Sequence, residues 1–187
     1  MTRGLLVVIA GPSGVGKGTV HARLRATLPD AVLSVSATTR AARPREVDGV
    51  HYRFLDRLGF EAMVTRGELL EWAEYAGNLY GTPRGPVAEA VADGKVVLLD
   101  IEVQGALQVR EQDPDALLVF LAPPSFDELE RRLRQRGTED DVAVAARLEV
   151  ARRELAQRDA FDQVVVNDDL ERCVAEVRDA IAAARTG

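Results

Sequence analysis

The chain has 187 residues, of which 47% are hydrophobic and 29% charged, and a net charge of -6. This length argues for one core rather than two domains, and the apolar fraction excludes a disordered chain. The acidic balance excludes a protein that coats nucleic acid or an anionic membrane by charge, because such binding needs a basic face.

The lone cysteine, Cys173, supports no disulfide framework, and no apolar run reaches the length of a membrane span or secretion signal. A cytoplasmic location is therefore expected. The basic residues are unevenly spread: residues 1–53 carry 8 basic and 3 acidic side chains. Only Lys17 and Lys95 are lysines; every other basic residue is arginine.

In chain order, the apolar run Leu5–Ala10 predicts a buried strand, and residues 17–28 a helix. Residues 32–36 predict a second strand. Residues 37–83 are rich in turns, polar residues and aromatics, with half-exposed strand patterns at 50–54 and Leu69–Tyr75 and a turn at Gly77-Asn78. Beyond them come a helix at 85–92, a strand at Val96–Asp100, a helix at Val103–Gln112, a strand at 116–121 and a helix at 125–135. After an interruption at 136–141 the pattern resumes with a helix at 142–157, a strand at Gln163–Val166 and a helix at 170–184.

Apolar-run strands alternating with helices predict an α/β fold whose parallel sheet is covered on both faces. Residues 37–83 are too short for an independent core and read as an insertion between core segments 4–36 and 84–187. In open parallel sheets, ligands sit beyond the carboxyl ends of the strands, where such an insertion would close over them. The interruption at 136–141 reads as a small mobile flap, with a lid expected over about 136–147.

The strongest chemical signal is Gly11-Pro12-Ser13-Gly14-Val15-Gly16-Lys17-Gly18, between the first strand and the first helix. Strand, glycine-rich loop and helix together are the context of a phosphate-binding loop. Its glycines let backbone N–H groups approach a polyanion, the helix N-terminus adds a favourable dipole, and Lys17 supplies a compact cation. The usual hydroxyl residue after the lysine is replaced by Gly18, with Thr19 next. A magnesium ion would then be met by Thr19, or mainly by water and substrate phosphates. Asp100, at the end of an apolar strand, is a second candidate for facing that metal or its waters.

Arg40, Arg43 and Arg45, with Arg53 nearby, can grip a second phosphate bidentately, while Ser36, Tyr52 and Tyr80 add donors. Arg131, Arg132, Arg134, Arg136 and Arg147 flank the flap, where closure could bring one or two onto a transferring phosphoryl group. Glu71 lies in a partly buried strand pattern and needs N–H donors, and the N1–H and 2-amino group of guanine are such a pair. Trp72 is expected in the core of the insertion, Cys173 in a buried helix face, and His21 has no paired metal ligand.

Gly11 to Lys17, Ser34-Val-Ser-Ala-Thr-Thr-Arg40, Leu70-Glu-Trp-Ala73, Gly77-Asn-Leu-Tyr-Gly-Thr82, Leu99-Asp-Ile-Glu-Val-Gln-Gly105, Arg136-Gly-Thr-Glu139 and Val166-Asn-Asp-Asp169, in this order, closely resemble the guanylate kinase family. The resemblance runs from about residue 4 to 181. It implies a phosphate-loop nucleoside monophosphate kinase fold with three layers, a five-stranded parallel core, an inserted GMP-binding region and a lid. It also implies transfer of the γ-phosphate of ATP to GMP, or to dGMP, with Mg2+, and neither nucleic acid nor membrane as partner. Oligomeric state is left open.

By the same resemblance, Gly11 to Thr19, Arg136 and Asn167 bind ATP, with Asn167 against the adenine. Ser36, Glu71 and Thr82 face guanine, with Asp100 and Glu102 on the same side. Arg40, Arg43, Tyr52 and Tyr80 hold the GMP phosphate, and Lys17, Arg40, Arg132 and Arg147 act on the transferring group. Two readings compete with this: a kinase for AMP or a pyrimidine nucleotide, which would not need Glu71 beside Ser36 and Thr82, and a non-catalytic guanylate-kinase-like interaction module, which typically lacks an intact phosphate loop. The chain departs from the family pattern at Ala42-Arg43-Pro44-Arg45-Glu46, where Arg45 replaces a usual glycine, and at His51 and Glu102. These departures bear on the path of the 41–46 loop.

Overall fold

A computed structural model describes residues 3–135 and 141–186. The elements are β1 (Leu5–Ala10), α1 (Lys17–Thr27), β2 (Ala31–Leu33), β3 (Ala37–Thr38), β4 (Arg53–Phe54), α2 (Arg57–Thr65), β5 (Leu69–Tyr75), β6 (Asn78–Pro83) and α3 (Arg84–Ala92). They continue with β7 (Val96–Asp100), α4 (Val103–Gln112), β8 (Leu117–Ala122), α5 (Phe126–Gln135), α6 (Asp141–Leu155), β9 (Gln163–Val166) and α7 (Leu170–Thr186).

Every residue of β1 is buried, and successive strand side chains point to opposite faces, so the strand needs apolar cover on both. Leu5, Val7 and Ile9 pack with Val20 and Leu24 of α1 and with Val174, Val177 and Ile181 of α7. Leu6, Val8 and Ala10 pack with Val87 of α3 and with Val103, Ala106 and Val109 of α4. The result is a helix–sheet–helix sandwich around a wholly parallel sheet of order β2-β7-β1-β8-β9. Because β1 is central, the loop that follows it opens at the middle of the sheet's carboxyl edge.

A second sheet, of order β4-β3-β6-β5, is built from residues 37–83. Its small core is Ala37, Phe60, Leu69 and Leu79. The strand expected at 32–36 is divided between the two sheets. β2 ends at Leu33, the Ser34 N–H still donates to the Leu98 carbonyl of the large sheet (3.0 Å), and the Ser36 carbonyl accepts from Arg53 N–H in the small one (2.8 Å). Ser36 thus lies where the chain changes sheets.

Other expectations need correction. The strand pattern at 50–54 reduces to Arg53–Phe54. Helix α2, not expected, is capped by Asp56, whose carboxylate accepts from Gly59 N–H at 2.7 Å. The turn between β5 and β6 is centred on Ala76 and Gly77, both at positive φ (49° and 78°), rather than on Gly77-Asn78. Positive φ at both central residues marks the hairpin turn whose twist matches its strands. Trp72 is 42% exposed rather than buried. Cys173 is buried and unpaired, and burial pushes its thiol up to about 11. Among the described residues no helix is long and apolar enough to cross a membrane.

Leu98, in β7, is completely buried in the cluster that also holds Val7 and Val177. Leu98→Ala removes that apolar contact and leaves a void, so unfolding by denaturant should show a loss of about 2–5 kcal/mol. A loss below about 1 kcal/mol would show that this face of the sheet is not a close-packed core.

Candidate active site

The loop after β1 turns by means of glycines. Gly14 and Gly16 have φ of 90° and 103°, the left-handed region where a side chain is strained. Gly16 is the N-cap of α1, and its carbonyl accepts from Thr19 and Val20 N–H at 3.1 and 3.2 Å. No acidic residue occupies the first turn of α1, so nothing there offsets the positive end of its dipole. Lys17 Nζ donates to the Gly11 carbonyl at 2.6 Å, which folds the cation back across the loop.

The loop is braced from the far side of the sheet. Asn167, just past β9, is 8% exposed, and its Nδ2 donates to the Val15 carbonyl at 2.7 Å. The Asn167 backbone N–H donates to Ala122 at the end of β8, and the Arg132 guanidinium donates to the Asn167 carbonyl at 3.1 Å. A Cβ at Gly16 would stand 2.5 Å from Asn167 Nδ2, so a side chain there would be strained at φ 103° and would displace the amide that braces the loop. Ser13, Gly14, Lys17, Thr19 and Asp100 line a cavity of about 230 Å³ in front of the loop.

A neighbouring cavity of about 300 Å³ lies between the two sheets, lined by Ser36, Tyr52, Glu71, Tyr80, Asp100 and Glu102. Glu71 is 7% exposed and accepts from Thr82 Oγ1 at 2.6 Å. Burial pushes its carboxyl up to about 7; the Thr82 hydrogen bond opposes the rise and the nearby Glu102 charge adds to it. Glu102 also caps α4, accepting from Gln104 and Gly105 N–H at 2.9 and 2.5 Å, so its orientation is fixed by the helix end. Asp100 lines both cavities and is their common wall.

Arg40 pairs with Glu46, and its guanidinium lies 5.4 Å from the Tyr52 ring centroid. Tyr52 in turn meets Tyr80 edge-on at 6.2 Å. The structure thus brings Ser36, Arg40, Tyr52, Glu71, Tyr80, Thr82, Asp100 and Glu102 together on one side of the loop cavity. Arg43 is exposed, and its backbone N–H donates to Glu46 Oε2. Arg147 is half-buried on α6, and Arg136 lies outside the described residues.

Two further groups near the site had no role assigned to them from the sequence. Glu154 of α6 is a carboxyl pushed by burial up to about 7, with Lys17 opposing the rise and Glu102 adding to it. Nothing but its place on a helix distinguished it. His21 is buried, its nitrogens have no hydrogen-bond partner among the described residues, and Nε2 lies 3.9 Å from Asp100 Oδ1. Burial holds its pKa below the ordinary value.

Among the described residues no group of three or more His, Cys, Asp or Glu could hold a metal ion by itself. The Thr19 hydroxyl and Asp100 carboxylate in the loop cavity do suit Mg2+, which keeps several waters and takes one or two protein oxygens plus substrate phosphates.

The family model described as guanylate kinase matches residues 3–184. A guanylate kinase of Synechococcus sp. (strain CC9311) is 58% identical over 170 residues, covering 91% of this chain and 90% of that protein. The crystal structure of guanylate kinase from Anaplasma phagocytophilum superposes with a TM-score of 0.77 at 34% identity, over 100% of this chain and 89% of that one. Shikimate kinase from Bacteroides thetaiotaomicron shares the fold alone, at a TM-score of 0.55 and 19% identity over 95% of this chain and 98% of that one. By its motifs, its fold and the extent of these matches, the chain belongs to the guanylate kinase family.

Proposed function

We infer that this protein is an ATP:GMP phosphotransferase that moves the γ-phosphate of ATP to GMP, giving ADP and GDP. The observation that carries the reading is the pair of cavities with Asp100 as their common wall, one faced by a phosphate-binding loop and the other floored by the buried Glu71. Two ligands held there would meet end to end, as in-line phosphoryl transfer needs.

The roles follow from the chemistry of each group. The loop N–H groups and Lys17 bind the ATP phosphates, and Asn167 keeps the loop in its binding shape. Arg40, Arg43, Tyr52 and Tyr80 receive the GMP phosphate. Ionised Glu71 accepts from N1–H and the 2-amino group of guanine, and adenine, with an acceptor at N1, offers no such pair. Thr82 already donates to one Glu71 oxygen, which fixes the carboxylate for this reading. Thr19 and Asp100, with water and substrate phosphates, would hold Mg2+, which would supply charge neutralisation to the transferring group. Arg132 and Arg147, from the helices flanking residues 136–140, add positive charge to the transition state when the site closes, and closure excludes the water that would hydrolyse ATP. Residues 37–83 act as the GMP-binding part and about 136–147 as the lid.

A coupled phosphotransfer assay with ATP against GMP, AMP, CMP and UMP tests the substrate assignment; GMP should be strongly preferred, and turnover of AMP at a similar rate would overturn the role of Glu71. Lys17→Ala should lower kcat by orders of magnitude with GMP affinity nearly intact, as calorimetry would report.

The pH dependence follows from the raised carboxyl. Glu71 must be ionised to accept from guanine, so KM for GMP should rise as pH falls below about 7, approaching tenfold per unit, while KM for ATP stays flat. The same shift acts on stability in the opposite sense. The stability Glu71 contributes is complete below its ordinary value of 4.5 and is lost as pH rises through about 7, because the native form holds the proton more tightly. Glu71→Gln should therefore abolish the pH dependence of GMP affinity in this range without lowering stability at pH 8. A persistent pH dependence in that variant would place the titrating group elsewhere.

A further inference from the structure

The carboxylate of Glu46 has no place in the substrate contacts assigned above, yet it sits among the residues assigned to the GMP phosphate. It accepts from Arg40 Nη1 through Oε2 and from Arg40 Nη2 through Oε1, both at 2.9 Å, a two-point ion pair whose side chains are 14% and 18% exposed. Oε2 also accepts from the Arg43 backbone N–H at 2.7 Å, and the Glu46 N–H donates to the Arg43 carbonyl at 3.0 Å. One carboxylate therefore fixes the guanidinium of Arg40 and the backbone of Arg43 at once. The turn that permits this passes through Arg45 at φ 74°, a conformation strained for arginine, at the position where the family pattern has glycine.

Counting donors shows what this arrangement leaves for a ligand. A guanidinium has five N–H groups. Glu46 takes one from each Nη, and the Ala41 carbonyl takes another from Nη1 at 2.7 Å. Neither partner takes Nε–H or the second Nη2–H, which lie side by side on one edge of the planar group, the fork that suits a phosphate, with the Tyr80 side chain as a further hydrogen-bond partner of the guanidinium. The group is also held in plane by Tyr52 and Phe54, whose ring centroids lie 5.4 and 5.8 Å from it, with Tyr80 close enough to add to its basicity after Glu46.

We propose that Glu46 is a positioning residue for the acceptor phosphate: by occupying the end of the Arg40 guanidinium and tethering Arg43, it presents the remaining Arg40 edge to GMP. The proposal rests on the reading that Arg40 and Arg43 receive that phosphate. It has a direct rival of opposite sign. A carboxylate beside a phosphate site repels the ligand, and a Glu46 that merely stood in for the phosphate would have to be displaced by it. The Arg40 hydrogen bonds, and the Arg43 backbone after them, hold Glu46 down to about 2, so it is ionised throughout the working pH range and its effect should not vary with pH.

The test is steady-state kinetics of the full chain with Glu46→Gln, Glu46→Ala and Arg40→Ala, each with thermal melting. Both Glu46 variants should raise KM for GMP about 10- to 100-fold, the scale of losing hydrogen bonds to a charged group. KM for ATP should stay within twofold, and the ratio of variant to parent KM for GMP should be flat from pH 6 to 9. A fall in KM for GMP in Glu46→Ala would overturn the proposal in favour of competition. Equal increases in both KM values, or increases that follow a lowered Tm, would reduce Glu46 to a general structural role and overturn it too. An unchanged KM for GMP in Arg40→Ala would remove the underlying phosphate assignment. A raised one beside unaffected Glu46 variants would defeat only the inference about Glu46.

Discussion

The hydrogen bond from the Asn167 side chain to the Val15 carbonyl holds the loop on which the site is built. Glycines at positive φ turn N–H groups toward a phosphate, but the same turns aim carbonyls back into the protein, where each needs a donor. Val15 finds one at the end of β9, and Asn167 is itself anchored by the Ala122 carbonyl and by Arg132. The loop's shape therefore depends on β8 and β9 lying in order beside β1, and on α5 lying over them. Gly16 completes the constraint, because the space a Cβ would need is filled by the Asn167 amide.

The site treats its two most important charges in opposite ways. Glu71 is buried with the Thr82 hydroxyl and backbone as its hydrogen-bond partners among the described residues, and burial still leaves its ionised form under-stabilised. Arg40 is instead paired with Glu46 in the absence of any ligand, and in the proposed role it would meet a phosphate through its other edge. Buried and unsatisfied groups favour selectivity, since a base without matching donors leaves the carboxylate unpaired. Paired and preorganised groups favour affinity with little reordering on binding. Gly105 lets the two carboxylates of the base side approach, as a Cβ there would lie 2.9 Å from Glu71 Oε2 and 3.4 Å from Glu102 Oε1.

The five-stranded sheet was legible because its strands are continuous apolar runs, and burial on both faces leaves no other reading of them. The small sheet was much less so. β3 and β4 have two residues each and carry no period, and α2 has Phe60 as its sole buried residue while Leu58 is 78% exposed. The Asp56 cap was the available signal for that helix. Alternation failed along β5 because its pairing shifts between Leu69 and Glu71, so three consecutive residues are buried before Trp72 emerges. Trp72 is held by its backbone instead, which exchanges hydrogen bonds of 3.1 and 3.2 Å with the Gln108 side chain of α4. The residues of the candidate site were legible from their motifs; their distances, and the part played by Glu46, depend on a loop whose path the substitution of glycine by Arg45 hides.

The charge distribution acquires a physical meaning from these contacts. An acidic chain would seem poorly suited to the triphosphate and monophosphate proposed as its ligands, yet several of its carboxylates pair with arginines around the cleft. Glu46 holds Arg40, and Glu128 holds Arg132 at 2.8 Å, with both carboxyls pulled down to about 2 by the arginines they pair with. Each pair is nearly neutral from a distance, so the surface does not attract polyanions at large. Close to the cleft the edge of Arg40 turned away from Glu46 contributes positive charge, together with Lys17 and the N-terminus of α1, whose first turn holds no acidic residue. On the proposed reading, that short range would favour a small phosphate able to enter between the sheets over a long polyanion.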